Sequence, residues 1–161
     1  MSHVGNLAIA VGLASSLFAA GNDPAEETAL RKQIAAYDAT AATATPGNYS
    51  AALHAPDAIM WSGAYKKPFM LNQTEPRQPR GGEGAIADRV PGSQKGISKS
   101  VRIVIADSKD LAYEYSTFTR QYTTKSSGKT IKFEGATLRV WQKKDGVWKV
   151  AAVFARPYEE D

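Results

Sequence analysis

The chain has 161 residues, one domain's worth, with 20 Lys and Arg against 16 Asp and Glu and a net charge of +4. Hydrophobic residues at 43% and charged residues at 22% exclude a disordered chain and a polytopic membrane protein. With no Cys and only two His, His3 and His54, the composition also excludes a disulfide scaffold, an iron–sulfur centre, a thiol nucleophile and most zinc sites.

Residues 1–21 read as an export signal or, alternatively, as an apolar N-terminal helix. Leu7 to Ala20 (LAIAVGLASSLFAA) carries no charge. It is too short for a membrane span, which needs about 20 apolar residues, and has the length of a signal-peptide core. Small residues Ala19, Ala20 and Gly21 offer a cleavage site, although no Lys or Arg precedes the apolar run. The first reading places the protein in the periplasm or outside the cell. The second leaves it cytoplasmic.

Asp23-Pro24-Ala25-Glu26 is a helix start, with Asp23 as cap, Pro24 at the first helical position and Glu26 three residues after the cap. Leu30, Ile34, Tyr37 and Ala41 share one helical face. The helix is expected to stop before Thr45-Pro46-Gly47. A second, shorter helix is expected over 48–54, closed by Ala55-Pro56-Asp57, and Ala58 to Trp61 reads as a short strand.

Residues 66–98 are rich in Pro and Gly and irregular. Seven Lys and Arg stand against three Asp and Glu between 66 and 99, so this stretch alone carries the charge of the whole chain. Such a length without regular structure reads as a lid, an interface arm or a solvated loop. It holds a single aromatic, Phe69, and lacks the interleaved stacking residues of a single-strand nucleic-acid binder. Gly81-Gly82-Glu83-Gly84 lacks the Lys-Ser/Thr ending of a phosphate loop.

The last third reads as a meander. A strand carrying Val101, Ile103 and Ile105 is followed by long strands over Leu111 to Thr123, Thr130 to Gln142 and Val147 to Arg156. Their turns are Asp107–Asp110, Ser126–Gly128 and the hairpin signal Lys144-Asp145-Gly146. The tail 159–161 is acidic. The order of elements is α+β, with helices on one face of a curved sheet.

Three passages resemble the nuclear transport factor 2-like superfamily, in particular its SnoaL-like and ketosteroid-isomerase-like members. They are Ala52–Ile59 (ALHAPDAI), Gly82–Ile86 (GEGAI) and Trp141–Val150 (WQKKDGVWKV). They stand in the family's order across 26–158. The resemblance implies a cone-shaped fold, with N-terminal helices packed on a strongly curved antiparallel sheet, and a single domain over 22–158. It also implies a pocket between the first helix and the concave face, and dimerisation through the outer face. The superfamily holds isomerases, cyclases, dehydratases, hydrolases and non-enzymatic binders, so the fold alone does not name a reaction.

Ketosteroid isomerases move a proton beside a carbonyl with a carboxylate base and stabilise the oxyanion with a Tyr and a protonated acid. The resemblance brings Tyr37 close to the oxyanion Tyr; a core Tyr is the alternative. It puts Ser62 where the base should stand, and Ser62 is no general base near neutral pH. Strand alternation on the Trp148 face directs Trp148, Val150, Ala152, Phe154 and Arg156 inward, together with Glu114, Ser116 and Phe118, and with Glu134, Ala136, Leu138 and Val140. Glu114, Glu134 and Arg156 then meet, either as an acid/base pair with one raised pKa or as a structural Arg–Glu pair. The opposite register lines the pocket with Tyr113, Tyr115 and Thr117. His54, with no His or Cys beside it, is a poor metal ligand and reads as a pocket residue or a half-buried structural His. Trp61 reads as a cap over an aromatic ligand or as core.

The expectation is therefore a homodimeric binder of a small, largely apolar organic ligand, without cofactor, metal, nucleic acid or membrane span. Its ligand contacts are His54, Trp61, Phe118, Leu138, Phe154 and Arg156. The alternative is a cofactor-free isomerase, dehydratase or cyclase acting on a small carbonyl or polycyclic substrate, with Tyr37, Glu114 and Glu134 as catalytic residues.

Overall fold

The computed structural model describes residues 22–43 and 49–158. The expectations for 1–21, Thr45-Pro46-Gly47 and 159–161 lie outside the described residues. Helix α1, Pro24–Thr43, begins as its cap dictates. Asp23 Oδ1 accepts the backbone N–H of Ala25 at 3.0 Å and of Glu26 at 3.1 Å. Leu30 and Ile34 are buried on the inner face of α1, and Tyr37 follows one turn later. The preceding residue, Asn22, acts like one more strand position. Its amide donates to Ile103 O at 3.0 Å and its oxygen accepts from Ile105 N at 2.9 Å.

Six strands form one mixed sheet in the order β2-β1-β6-β5-β4-β3. They are β1 (His54–Ser62), β2 (Phe69–Met70), β3 (Lys95–Ile105), β4 (Leu111–Thr123), β5 (Thr130–Lys144) and β6 (Val147–Pro157). All neighbours run antiparallel except β1 and β6, which are parallel. Helix α1 lies on the concave face, against β3 and β6. The architecture is α+β, one helix packed on an open curved sheet.

The short helix expected over 48–54 is absent from the described part of that segment. Leu53 N and His54 N both bond Ser50 O at 3.0 Å in a single turn, and β1 starts at once. Pro56 explains this: it disfavours helical φ/ψ at Ala55, and four residues cannot meet the nucleation cost of a helix unaided. The Gly82–Ile86 passage likewise gives only one 3-10 turn, Ile86–Asp88. Gly82 and Gly84 stand at φ +93° and +75°, in the left-handed region that ends helices.

Two bulges decide which side chains face inward. On β6 the register passes from Trp141↔Val150 to Val140↔Ala152, which leaves Ala151 as an extra residue. Trp148 and Val150 face in before the bulge; Val153, Ala155 and Pro157 face in after it. On β3 the register passes from Ser100↔Ser116 to Arg102↔Tyr115, leaving Val101 extra and exposed. A core of Leu30, Ile34, Met60, Trp141, Trp148 and Val150 fills one end of the concave face. The other end is open.

The Ala151 bulge makes a specific demand. Deleting Ala151 forces Val153 and Ala155 outward and is expected to abolish cooperative thermal unfolding. Ala151→Gly keeps the residue count and should cost only about 1 kcal/mol or less in chemical denaturation.

Candidate functional site

The open end of the concave face holds a cavity of about 460 Å³. Tyr37 and Asp38 of α1 form one side. The inner faces of β4, β5 and β6 supply Phe118, Arg120 and Tyr122, then Phe133, Thr137 and Arg139, then Val153 and Ala155. The irregular basic segment closes the remaining side through Arg80, Gly84, Ala85, Ile86, Arg89 and Gln94. Asp88 holds this wall down. Its carboxylate accepts Gly84 N, Ser126 N and Ser126 Oγ, each at 2.9 Å, tying the segment to the β4–β5 turn. The Gly84 bond, with the Ser126 bonds after it, holds the Asp88 carboxyl below its usual value.

The deep end of the cavity is built on Arg139, which is 2% exposed. Its Nη1 donates to Asp38 Oδ1 at 2.8 Å and its Nη2 to Glu114 Oε1 at 2.7 Å. Its guanidinium lies 4.6 Å from the centroid of the Tyr37 ring. Burial opposes the Arg139 charge, but Glu114 and Asp38 outweigh it and hold its pKa above the ordinary arginine value. Glu114 is wholly buried and lies behind Arg139, not in the cavity. It also accepts Ser100 Oγ at 2.5 Å and Trp141 Nε1 at 3.2 Å. Tyr37 does face the cavity, and burial pushes its phenol above the usual value, which keeps it a neutral hydrogen-bond donor.

The structure brings together only part of the set expected from the sequence. Tyr37 and Phe118 line the cavity, as does Ser62. Glu114 faces inward but is consumed by Arg139. Phe154 and Arg156, expected inside, stand on the outer face because the Ala151 bulge reverses β6 beyond Val150, and Leu138, expected inside, lies beside Phe154 there because it alternates with the inward Thr137 and Arg139 of β5. Glu134, Ala136 and Val140 alternate with the inward residues of β5, so they too point away from the cavity. Glu134 is exposed, its Oε1 3.5 Å from Thr119 Oγ1. Trp61 joins the outer face, edge-on to Phe154 at 6.2 Å, with the Arg156 guanidinium 5.7 Å from its ring. Glu114, Glu134 and Arg156 therefore do not meet.

His54 is buried outside the cavity, between the rings of Tyr37 at 5.4 Å and Tyr49 at 5.3 Å. Its Nδ1 lies 3.0 Å from Ser50 O, while its Nε2 is buried without a partner. Burial lowers its pKa, against the Ser50 bond. The residues that sequence reasoning missed are Asp38, Arg120 and Arg139. Extending the Glu114, Ser116, Phe118 alternation by one step reaches Arg120. Arg139 is the partner of Glu114 across β4 and β5, a pairing that only the register reveals.

No family model and no curated protein matches the chain. Solved structures do. A nuclear transport factor 2-like superfamily protein from Salmonella enterica serovar Typhimurium is similar at TM-score 0.59 and 11% identity, over 84% of this chain and 93% of that one. A ketosteroid isomerase-like protein from Erwinia carotovora is similar at TM-score 0.53 and 14% identity, over 83% and 94%. A hexachlorocyclohexane dehydrochlorinase LinA-type3 from Novosphingobium barchaimii is similar at TM-score 0.58 and 11% identity, over 84% and 88%. The fold is thus the nuclear transport factor 2-like cone.

The buried charges have measurable consequences. Arg139→Met leaves Glu114 buried and unpaired and should cost about 3–5 kcal/mol in urea unfolding. Glu114→Leu combined with Arg139→Met should recover part of that loss. For His54, the folded-state pKa lies below the unfolded one, so the unfolded state binds the proton more readily. Stability is expected to be fully present above about pH 6.5 and to fall as pH drops below it toward the folded-state value. His54→Phe should flatten that part of the profile, read by thermal unfolding across the pH range.

Proposed function

We propose that this chain binds a small, largely apolar organic molecule in the cone cavity, without ketosteroid-isomerase chemistry. The observation that carries the reading is the cavity itself. About 460 Å³ suits a small ligand, and apolar walls with a few convergent polar groups are what small-molecule sites present. Phe118, Phe133, Ile86, Val153 and Ala155 supply the apolar surface. Ser62 supports the absence of standard isomerase chemistry, since it offers no base at that position.

A cofactor-free acid/base enzyme is the second reading, favoured by the adjacent Tyr37 and Asp38 at the cavity and by the fold likeness to a dehydrochlorinase. In that reading Tyr37 is the hydrogen-bond donor and Asp38 the base, with Glu114 positioning Arg139 from behind. The ion pair with Arg139 opposes it, because Asp38 Oδ1 is already taken up by Arg139 Nη1 at 2.8 Å.

Two further elements belong to the proposal. The protein pairs with a second copy through the outer sheet face, which exposes Ile59, Trp61, Tyr113, Tyr115, Leu138 and Phe154. The uncharged run 7–20 directs it to export. Among the described residues no helix is long and apolar enough to cross a membrane.

Native mass spectrometry of protein from its own host, followed by denaturation, tests the ligand reading. A released small molecule is expected, with lower occupancy in Ala155→Phe, which fills the cavity. Unchanged occupancy in a folded Ala155→Phe would move the ligand elsewhere. The enzyme reading requires that Asp38→Asn abolish turnover of the released molecule while the fold persists.

A further inference from the structure

We infer that the cavity takes an organic carboxylate, its anionic end held by Arg89 and Arg120 and its apolar body by the facing aromatic and aliphatic wall. This rests on the ligand-binding reading above and narrows it to a chemical class.

The argument starts from charge at the wall. Arg80, Arg89, Arg120 and Arg139 all reach the cavity. Arg139 is neutralised by Asp38 and Glu114. Among the described residues, Arg80, Arg89 and Arg120 have no carboxylate within ion-pair distance. Their bonds are to neutral groups. Arg120 Nη1 donates to Ile97 O at 2.8 Å and Nη2 to Ser98 Oγ at 2.9 Å. Arg89 donates to Gly84 O at 3.3 Å through Nε and to Gln94 Oε1 at 3.0 Å through Nη1. Arg80 Nε donates to Tyr65 O at 3.3 Å. The second acid at the cavity, Glu83, is occupied by Ser127 Oγ at 2.6 Å.

Two of these cations are held in place on the cavity wall, the Arg120 guanidinium 5.4 Å from the Phe118 ring centroid. The Arg89 guanidinium stacks on the Tyr122 ring at 4.0 Å. Tyr122 and Arg120 are successive inward positions of β4, about 7 Å apart along the strand. Arg120 lies over Gly96, its partner on β3, where any Cβ would collide with its side chain. Burial destabilises both charges, pushing the Arg89 and Arg120 pKa values below the ordinary one. Partly desolvated cations with no carboxylate in ion-pair contact favour an anion that enters the cavity between them. Guanidinium groups fixed in advance lose little freedom on binding, and their planar N–H forks match a carboxylate.

The rest of the cavity sets the ligand's other features. Phe118, Ile131, Phe133 and Val153 form an apolar wall beside the two cations. At the deep end the Asp38 carboxylate repels additional negative charge, which suits one carboxylate better than a multiply charged phosphate. The segment that gives the chain its basic character thus supplies two of the cavity's three unpaired arginines, Arg80 and Arg89.

Isothermal titration with benzoate, phenylacetate, 3-phenylpropionate and 2-naphthoate, each beside its neutral amide, tests this. At least one carboxylate is expected to bind about tenfold or more tighter than its amide, the range of charge-assisted hydrogen bonds. Arg89→Gln should remove that preference while leaving amide binding within about twofold. Arg120→Gln should do the same, with far-UV circular dichroism confirming the fold. Should Arg120→Gln not fold, Arg89→Gln against Arg89→Lys carries the comparison. Equal binding of carboxylate and amide overturns the anion assignment and leaves the ligand reading intact. A preference that survives in folded Arg89→Gln and Arg120→Gln overturns the assignment of these residues. Binding of no carboxylate at millimolar concentration overturns the inference, and the native mass spectrum then decides the ligand reading separately.

Discussion

The guanidinium of Arg139 sits where three elements meet, and the fold is organised around satisfying it. It projects from β5, takes Glu114 from β4 and reaches Asp38 on α1. One charged group thus ties helix to sheet across the concave face, with Ser100 and Trp141 completing the shell around Glu114. A buried pair of this kind adds little net stability over an apolar core, because both charges lose water. Its value is geometric: the helix can dock at only one height and rotation if Asp38 is to meet Arg139. That docking divides the concave face into a packed core on the Trp141 side and an open cavity on the Phe118 side. Lys143 and Glu26, 2.7 Å apart, repeat the tie at the other end of the helix with more water around it.

The strands were legible where turn chemistry and alternation agreed. β4 occupies the same residues, Leu111–Thr123, that the alternation marks out, because a Ser-Lys-Asp turn and a Ser-Gly turn bracket it. The first helix was legible through Asp23 and Pro24. What alternation could not carry was the face of β6 beyond Val150. Ala151 has no turn residue or glycine to mark it, yet it shifts every later side chain by one face. Phe154 and Arg156 were therefore misdirected by a small, chemically silent residue. Asp38 escaped for a different reason. It lies off the apolar stripe of α1, and only the cavity beside Arg139 gives a half-buried acid there a purpose.

The Pro- and Gly-rich stretch shows how an irregular segment becomes a wall. The irregular part ends at Gln94, since β3 already begins at Lys95, and before that point local propensity offers almost nothing beyond two residues of β2 and one 3-10 turn. Its shape comes from ties to distant residues, chiefly Asp88 to Ser126 and the bridges Tyr65↔Pro79 and Arg89↔Thr124. Gly84 is needed for close approach, since a Cβ there would strike the Tyr122 hydroxyl. Phe69 anchors the start of the stretch in the core, with Leu71 and Ile86 packed against that core, while the wall around Asp88 is fixed by polar ties.

The parallel pairing of β1 with β6 bears on how the chain comes to be folded at all. Met60 lies beside Val153, and Trp61 beside Phe154, across more than half the length of the protein. Contacts so distant in sequence raise the contact order and slow folding, because a long loop must close before the pairing repays it. On the ribosome, β1 and β2 emerge well before the strand that anchors them. β1 therefore has only β2 to pair with until β6 has been made, and it remains open to chaperones throughout that interval.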